Sequence, residues 1–254
     1  MDYVDIHSHV LFGLDDGAKT LEDSVQMLEM AKRTGTRAIV ASPHANTRFP
    51  FDPAVVEQRI AELVARVAGI DIHPGCDFHL QFDNIEDAVA HPTKYTINHR
   101  NYLLVEFSDL SVFHTAGEIL ERLLDAGMIP IVTHPERNAR LQRSVDDIAR
   151  WVADGCYVQV TAGSVVGSFG KAARASANEL LTRGLVHFIA SDAHDCVRRP
   201  PSLRDAYDRL AGDWGEDTIR PLFVDNPHAA VEGETIEYEL PARTSGRRKW
   251  YRFW

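Results

Sequence analysis

Eight histidines and carboxylates stand where short β-branched runs of this chain end: His7, His9, His44, Asp77, Glu106, His134, Asp192 and His194. Imidazole nitrogen and carboxylate oxygen are the donors that hold divalent ions of the zinc, iron and manganese kind. Such ions stabilise charge on reacting oxygens and lower the pKa of bound water from 15.7 to about 7, so the chemistry in view is metal-assisted hydrolysis. Taken singly the signals are weak. A His-x-His pair arises readily among 12 histidines, and strand alternation puts i and i+2 on one face with or without a metal. Glu106 alone reads equally as a helix cap or an ion-pair partner. The joint placement is what exceeds chance, because metal sites gather ligands from separate elements.

The elements that must position these residues are legible from periodicity. Seven β-branched runs, Tyr3–His7, Arg37–Ser42, Ile70–Pro74, Tyr102–Glu106, Ile129–Thr133, Tyr157–Val160 and Val186–Ala190, alternate with helical patterns. That alternation is the signature of parallel strands joined by crossover helices. Thr20 and Asp23 form a capping-box pattern ahead of an apolar stripe of Val25, Leu28, Met30 and Ala31 that stops before Gly35. Similar helical patterns cover Ala54–Val67, Ala116–Ala126, Val145–Ala153 and Ala172–Thr182. A chain of 254 residues that is 44% apolar suits one α/β barrel. No GxGxxG follows the first strand to favour a dinucleotide fold. In a barrel the C-terminal strand ends share one mouth, so all eight residues are expected to meet there.

Composition narrows the function classes. A formal charge of −10 argues against nucleic-acid binding, which needs a basic face. No apolar run approaches a membrane span, and the start MDYVDIHSH has neither the basic nor the apolar region of a signal peptide, so a cytoplasmic protein is expected. Cys76, Cys156 and Cys196 form neither a CxxC pair nor a disulfide framework. No arginine follows any of them at the C-x₅-R spacing of a cysteine phosphatase loop.

Two arginines extend the pattern from metal to anion. Arg137 lies three residues beyond His134 and Arg199 five beyond His194, where a planar guanidinium could grip phosphate oxygens in pairs; the competing reading is a surface arginine paired with Glu136 or Asp195. Phe49 and Phe51, just after His44, read first as a plug packing their loop and second as a stacking surface for an aromatic ring. Gln159, Thr161, Ser164 and Ser168 either line a pocket or satisfy loop backbone. Beyond Gly233 the composition changes to an acidic stretch and then the basic, aromatic RRKWYRFW (Arg247–Trp254). This divides the chain into a barrel over 1–233 and a tail over 234–254. The tail is expected to pack across the barrel or fray, with a docking arm for an acidic partner, membrane surface or polysaccharide as the alternative.

Seven strings in order carry a resemblance: DIHSHVLFGLDDGA (Asp5–Ala18), SPH (Ser42–His44), PGCD (Pro74–Asp77), VEF (Val105–Phe107), HPER (His134–Arg137), SDAH (Ser191–His194) and RRPP (Arg198–Pro201). From about Tyr3 to Gly233 the chain resembles the bacterial protein tyrosine phosphatases of the PHP superfamily, the capsular and exopolysaccharide (CpsB/YwqE) type. The resemblance implies a distorted (β/α)7 TIM-like barrel holding three divalent ions, with manganese first and iron or zinc as alternatives. One ion would be bound by His7, His9 and Asp192, and a second by Glu106 and His134, with Asp77 shared between them. Asp16, His44 and His194 would bind the third. Asp77 departs from the pattern, which usually has glutamate there. Five neutral imidazoles and four carboxylates around three such ions leave a site charge of about +2, attractive to a phosphoryl dianion. Arg137 and Arg199 match the positions that contact phosphate. The implied activity is hydrolysis of phosphotyrosine, with the tyrosine-rich tail of a bacterial tyrosine kinase as partner. Two other readings stay open: a phosphatase of a small ester such as histidinol phosphate, and a non-catalytic, metal-bound regulator of polysaccharide assembly.

Overall fold

The computed structural model describes residues 1–108 and 115–243. Its strands are β1 (Tyr3–Ser8), β2 (Thr36–Ala41), β3 (His44–Ala45), β4 (Asp71–Pro74), β5 (Asp77–His79), β6 (Tyr102–Glu106), β7 (Ile129–Thr133), β8 (Tyr157–Thr161) and β9 (Phe188–Ala190). The helices are α1 (Leu21–Thr34), α2 (Pro53–Val64), α3 (Phe82–Ala90), α4 (Ala116–Asp125), α5 (Val145–Ala153), α6 (Ala162–Val166), α7 (Gly170–Thr182), α8 (Arg204–Trp214), α9 (Glu216–Ile219) and α10 (Asp225–Glu232).

All the strand pairings described are parallel, in the orders β1-β2-β4 and β3-β5-β6-β7-β8-β9. The two sheets are one distorted barrel, because β3 and β5 prolong the lines of β2 and β4 past short breaks. Hydrogen bonds cross the breaks: Ser42 N donates to Ser8 O at 2.8 Å, Gly75 N to Ala41 O at 3.0 Å and Asp77 N to Pro43 O at 3.1 Å. Pro43 has no N–H to offer a ladder. A Cβ on Gly75 would lie 2.4 Å from Val40 Cγ1, so only glycine lets β4 approach β2 there. The ring closes between β9 and β1, where Asp192 N donates to His7 O at 2.9 Å and His9 N to Ala193 O at 2.8 Å.

The seven runs read from sequence are thus the seven staves of the barrel, with three corrections. The second and third are each split in two, and the regular part of the last begins at Phe188. His7 lies within β1 and not after it. Helices α3, α6, α8, α9 and α10 were not anticipated.

Alternation along the strands sorts the core. Val4 and Ile6, Tyr102 and Leu104, and Phe188 and Ala190 are i, i+2 pairs that cluster with Val40 and Ile131 and with Ala230, Val231 and Ile236 from the chain's far end. The intervening Leu103, Val105, Val158, Val160 and Ile189 pack instead with Leu120, Leu123, Ile148 and Leu180 of the helices. In α1 both capping-box bonds form, Asp23 N to Thr20 Oγ1 at 3.2 Å and Thr20 N to Asp23 Oδ2 at 2.9 Å. The buried face of α1 is Ser24, Met27, Leu28 and Ala31; Val25 and Met30 flank it only half-buried.

Residues 234–243 pack on the barrel. Ile236 and Leu240 are buried, Tyr102 Oη donates to Glu234 O at 2.8 Å, and the Arg243 guanidinium lies 3.6 Å from the Trp214 ring centroid. The RRKWYRFW segment falls outside the described residues.

His187, just ahead of β9, is buried, takes a hydrogen bond on Nδ1 from Val158 N at 3.2 Å and meets Tyr157 edge-on at 4.7 Å. Burial pulls its pKa from 6.5 to about 4. Between those values the unfolded chain binds the proton and the folded one does not, so stability is full above pH 6.5 and falls as pH drops toward 4. Chelator-treated protein is expected to lose roughly 2–3 kcal/mol from this residue between pH 7.5 and 4.5. His187→Gln, which keeps an acceptor for Val158, should flatten that part of the curve in urea melts. Identical pH slopes for the two proteins would remove His187 from the account.

Candidate metal centre

The barrel mouth collects every residue of the implied ligand set. Donor atoms within 4.8 Å of one another form four groups: His7, His9 and Asp192; His7, Asp77 and His134; His9, Asp16, His44 and His194; and His44, Asp77, His79 and Glu106. The first and third contain two implied triads, with His9 added to the second of these. Asp77 belongs to two groups. Glu106 Oε1 is 3.7 Å from His134 Nε2, whereas Glu106 Oε2 is 3.4 Å from His44 Nδ1 and in direct contact with His79 Nε2. His79 is the residue that the reading of the sequence missed. It follows Asp77 by two in β5, a strand hidden by the break after Pro74.

Backbone geometry brings the ligands in at some cost. His134 (φ 34°) and Asp192 (φ 50°) occupy the left-handed region, which costs a non-glycine residue about 1–3 kcal/mol and is sustained where the surroundings over-determine it. The β1–β2 register also shifts between Asp5 and Ser8, where the first ligands stand.

Hydrogen bonds fix which ring nitrogen faces the centre. His7 Nδ1 is 3.0 Å from Gln159 Oε1, His9 Nδ1 is 2.6 Å from Asp15 Oδ2, and His194 Nδ1 is 3.0 Å from the carbonyl of Asp192. Each Nδ1–H is thereby engaged as a donor, leaving Nε2 as the ligating atom. Asp15 is the hub of this outer layer. Its Oδ1 also accepts Gly17 N at 2.8 Å and its Oδ2 accepts His44 N at 3.1 Å. Gly17 is irreplaceable here, because a Cβ would fall 2.1 Å from the His9 carbonyl.

The electrostatics fit cation binding. Asp77 and Asp192 are fully buried; burial would raise their pKa values, but the facing histidines hold both carboxyls well below the usual range. Burial would lower His9, and the Asp15 charge instead lifts it to about 9. His44 is raised against burial by Asp16, Asp77 and Glu106. His134 falls to about 4 through burial and then the charge of Arg137. Both oxygens of Asp77 and Oε2 of Glu106 lack a well-angled hydrogen bond, although His44 Nδ1 is 2.9 Å from Asp77 Oδ2. Buried carboxylate oxygens need a cationic partner. Protons on the histidines and divalent ions are alternative ways to supply it, so ion binding displaces protons. The residues present therefore fit a divalent-metal centre.

Arg137 and Arg199 reach this centre from the segments after β7 and β9, and both guanidiniums bond Asp192 Oδ2. Neither takes the pairing with Glu136 or Asp195 that was the competing expectation. Glu136 is buried, accepting Thr161 N at 3.0 Å and Ser164 Oγ at 2.7 Å, and Asp195 Oδ1 accepts the backbone N–H groups of its own loop. The Phe169 ring sits 4.4 Å from the Arg137 guanidinium carbon and 5.8 Å from that of Arg199. Arg199 Nε is buried without an acceptor, while Arg198 is exposed. Phe51 packs on Tyr95 at 5.2 Å as a plug, whereas Phe49 stacks on His44 at 6.0 Å and 14°. Ser168 lines a cavity of about 100 Å³ beside Phe169 and Arg199. Burial pushes the Cys76 thiol well up and Cys156 to about 12, so neither supplies a thiolate.

Asp15→Asn keeps the shape of the hub and removes its charge. It should weaken divalent-ion binding 10- to 100-fold, read by competition with a chromophoric chelator. Wild-type affinity in this variant would show that Asp15 does not tune the ligands.

Known proteins with this architecture share more than shape. YwqE of Bacillus subtilis, a tyrosine-protein phosphatase, is 31% identical over 98% of this chain and 99% of its own. CpsB of Streptococcus pneumoniae, also a tyrosine-protein phosphatase, is 31% identical over 92% of this chain and 100% of its own. A crystal structure from work on these two metal-dependent tyrosine phosphatases superposes with a TM-score of 0.85 at 30% identity, covering 96% of this chain and 100% of that one. The phosphotriesterase homology protein of Escherichia coli, at 13% identity and a TM-score of 0.58 over 89% of this chain and 97% of that one, shares the fold alone. The family model for capsular polysaccharide synthesis, CpsB/CapC, matches residues 3–232, and the chain belongs to that family.

Proposed function

We propose that this chain is a metal-dependent protein tyrosine phosphatase acting on the phosphorylated tail of a bacterial tyrosine kinase that governs capsule or exopolysaccharide assembly. The observation that carries the reading is the meeting of two guanidiniums and the ligand cluster at one carboxylate, Asp192. The similarity to YwqE and CpsB over nearly the whole chain supports it. Three divalent ions would be held by His7, His9 and Asp192, by Glu106 and His134, and by Asp16, His44 and His194, with Asp77 shared between the first two. A ligand set of imidazoles and carboxylates without thiolate suits manganese, iron or zinc, and its four carboxylates favour manganese. Such ions, when bound, supply Lewis-acid charge and a water nucleophile at neutral pH.

The chain's own residues bind and orient the ester. A guanidinium has five donors, so Arg137 and Arg199 keep N–H groups for phosphate while one bonds Asp192. Phe169 beneath Arg137 holds that guanidinium in plane by a cation–π contact. Phe49, stacked on His44 at the edge of the centre with the Arg48 guanidinium 4.9 Å from its ring centroid, would border the phenol ring. No helix among the described residues is long and apolar enough to cross a membrane; a cytoplasmic site of action agrees with a kinase tail as substrate.

The direct test is turnover by the metal-loaded protein on phosphotyrosine peptides set beside histidinol phosphate and other small phosphate esters. Preference for the peptides is expected; preference for a small ester would replace the proposed substrate, and no turnover on any would leave a metal-bound regulator. Arg199→Ala should keep full metal content and lose roughly 2–4 kcal/mol of transition-state stabilisation, about 10²–10³-fold in kcat/KM. Arg199→Lys should recover part of the loss, since an ammonium restores charge without the planar fork. Arg198→Ala should stay near wild type. Sensitivity at Arg198 with silence at Arg199 would overturn the assignment.

A further inference from the structure

His79 has no place in the ligand sets above, yet it sits among them. It ends β5 and pairs across the sheet with Glu106, the last residue of β6. Asp77 and His79 are i and i+2 on that strand and so project to one face. The segment is anchored, because Asn84 Nδ2 donates to both Ala45 O at 2.8 Å and His79 O at 3.1 Å, tying β3 to β5. The His79 side chain is only 20% exposed, and its Nε2 touches Glu106 Oε2.

A hydrogen bond to Glu106 accounts for only part of this arrangement. The same Nε2 is 3.1 Å from His44 Nδ1, which is itself 2.9 Å from Asp77 Oδ2 and 3.4 Å from Glu106 Oε2. Two ring nitrogens and two carboxylates thus point into one small volume, and both Asp77 oxygens remain without a hydrogen bond of good geometry. Asp77 is also claimed by His7 and His134, so a short carboxylate serves two groups, and an imidazole from the same strand adds a donor to one of them without adding charge.

We propose that His79 is a metal ligand, adding a donor beside Glu106, Asp77 and His134 to the ion on the β5–β6 side of the mouth, while His44, whose Nε2 faces Asp16, stays with the third ion. This rests on the metal-dependent reading of the same centre, and the test separates the two. Full-length, chelator-treated protein is titrated with Co²⁺, bound ions are counted by equilibrium dialysis, and the visible d–d absorption of the bound Co²⁺ is recorded. In His79→Ala, and in His79→Gln, which preserves side-chain bulk, one ion should bind at least about 100-fold more weakly, the upper end of what losing an outer-shell partner costs. Its d–d band should shift or vanish while the other ions bind as before. His7→Ala, which removes a ligand from two other groups, is the reference. If His7→Ala loses ions while both His79 variants keep wild-type affinity and spectrum, His79 is no ligand. An affinity loss with an unchanged d–d band likewise overturns ligation, since a residue that only positions Glu106 leaves the donor set intact. If His7→Ala also binds like wild type, the metal-centre reading itself falls.

Discussion

The constraint on which the rest of this structure depends is the neutralisation of buried carboxylates at the barrel mouth. Asp77 and Asp192 are almost without solvent, and an ionised group in such a place is sustained only by opposite charge and hydrogen bonds. Asp192 has two arginines on one oxygen and histidines near the other. Among the described residues, Asp77 has only histidines. The two carboxylates therefore differ in kind: Asp192 links the cation centre to the anion-binding arginines, and Asp77 is devoted to cations.

That division explains how the scaffold is shaped around the mouth. Breaking the second and third staves lets His44 and Asp77 begin new short strands closer to the centre, and Gly75 makes the break sterically feasible. Left-handed backbone at His134 and Asp192 turns those side chains inward from strand ends that would otherwise carry them past. Asp15 then locks His9 and the His44 backbone together. Among the described residues the left-handed non-glycine backbone is split between the ligands His134 and Asp192 and the turn at Asn98 and His99, while the interior of Val4, Ile6, Val40, Leu104, Ile131 and Phe188 remains ordinary close-packed core.

Much of this was legible in the sequence, for physical reasons. Strand ends could be read because β-branched runs stop abruptly at polar residues, as at Ala190 before Ser191-Asp192, and the helix start at Thr20 because capping is chemistry local to four residues. His79 was not legible: the run it belongs to is three residues long and follows a glycine break, so periodicity has too little length to register. In the Asp15-Asp16 pair nothing local says which side chain turns outward to His44 and His194 and which turns back to His9. Glu136 illustrates a different limit. Next to an arginine in sequence, it pairs instead with Thr161 and Ser164 from the following stave, a choice made by tertiary contact alone.

The closure between β9 and β1 has a consequence for how the molecule comes into being. His7 and His9 stand on the first stave described, yet Asp192, which completes their group and whose backbone bonds the His7 carbonyl, follows the last one. Without the pairing of β9 on β1 those histidines are donors on an open sheet, outside the enclosure that discriminates among cations. The first ligand group is therefore complete only when the ring is shut, and the two ends of the strand order jointly form it.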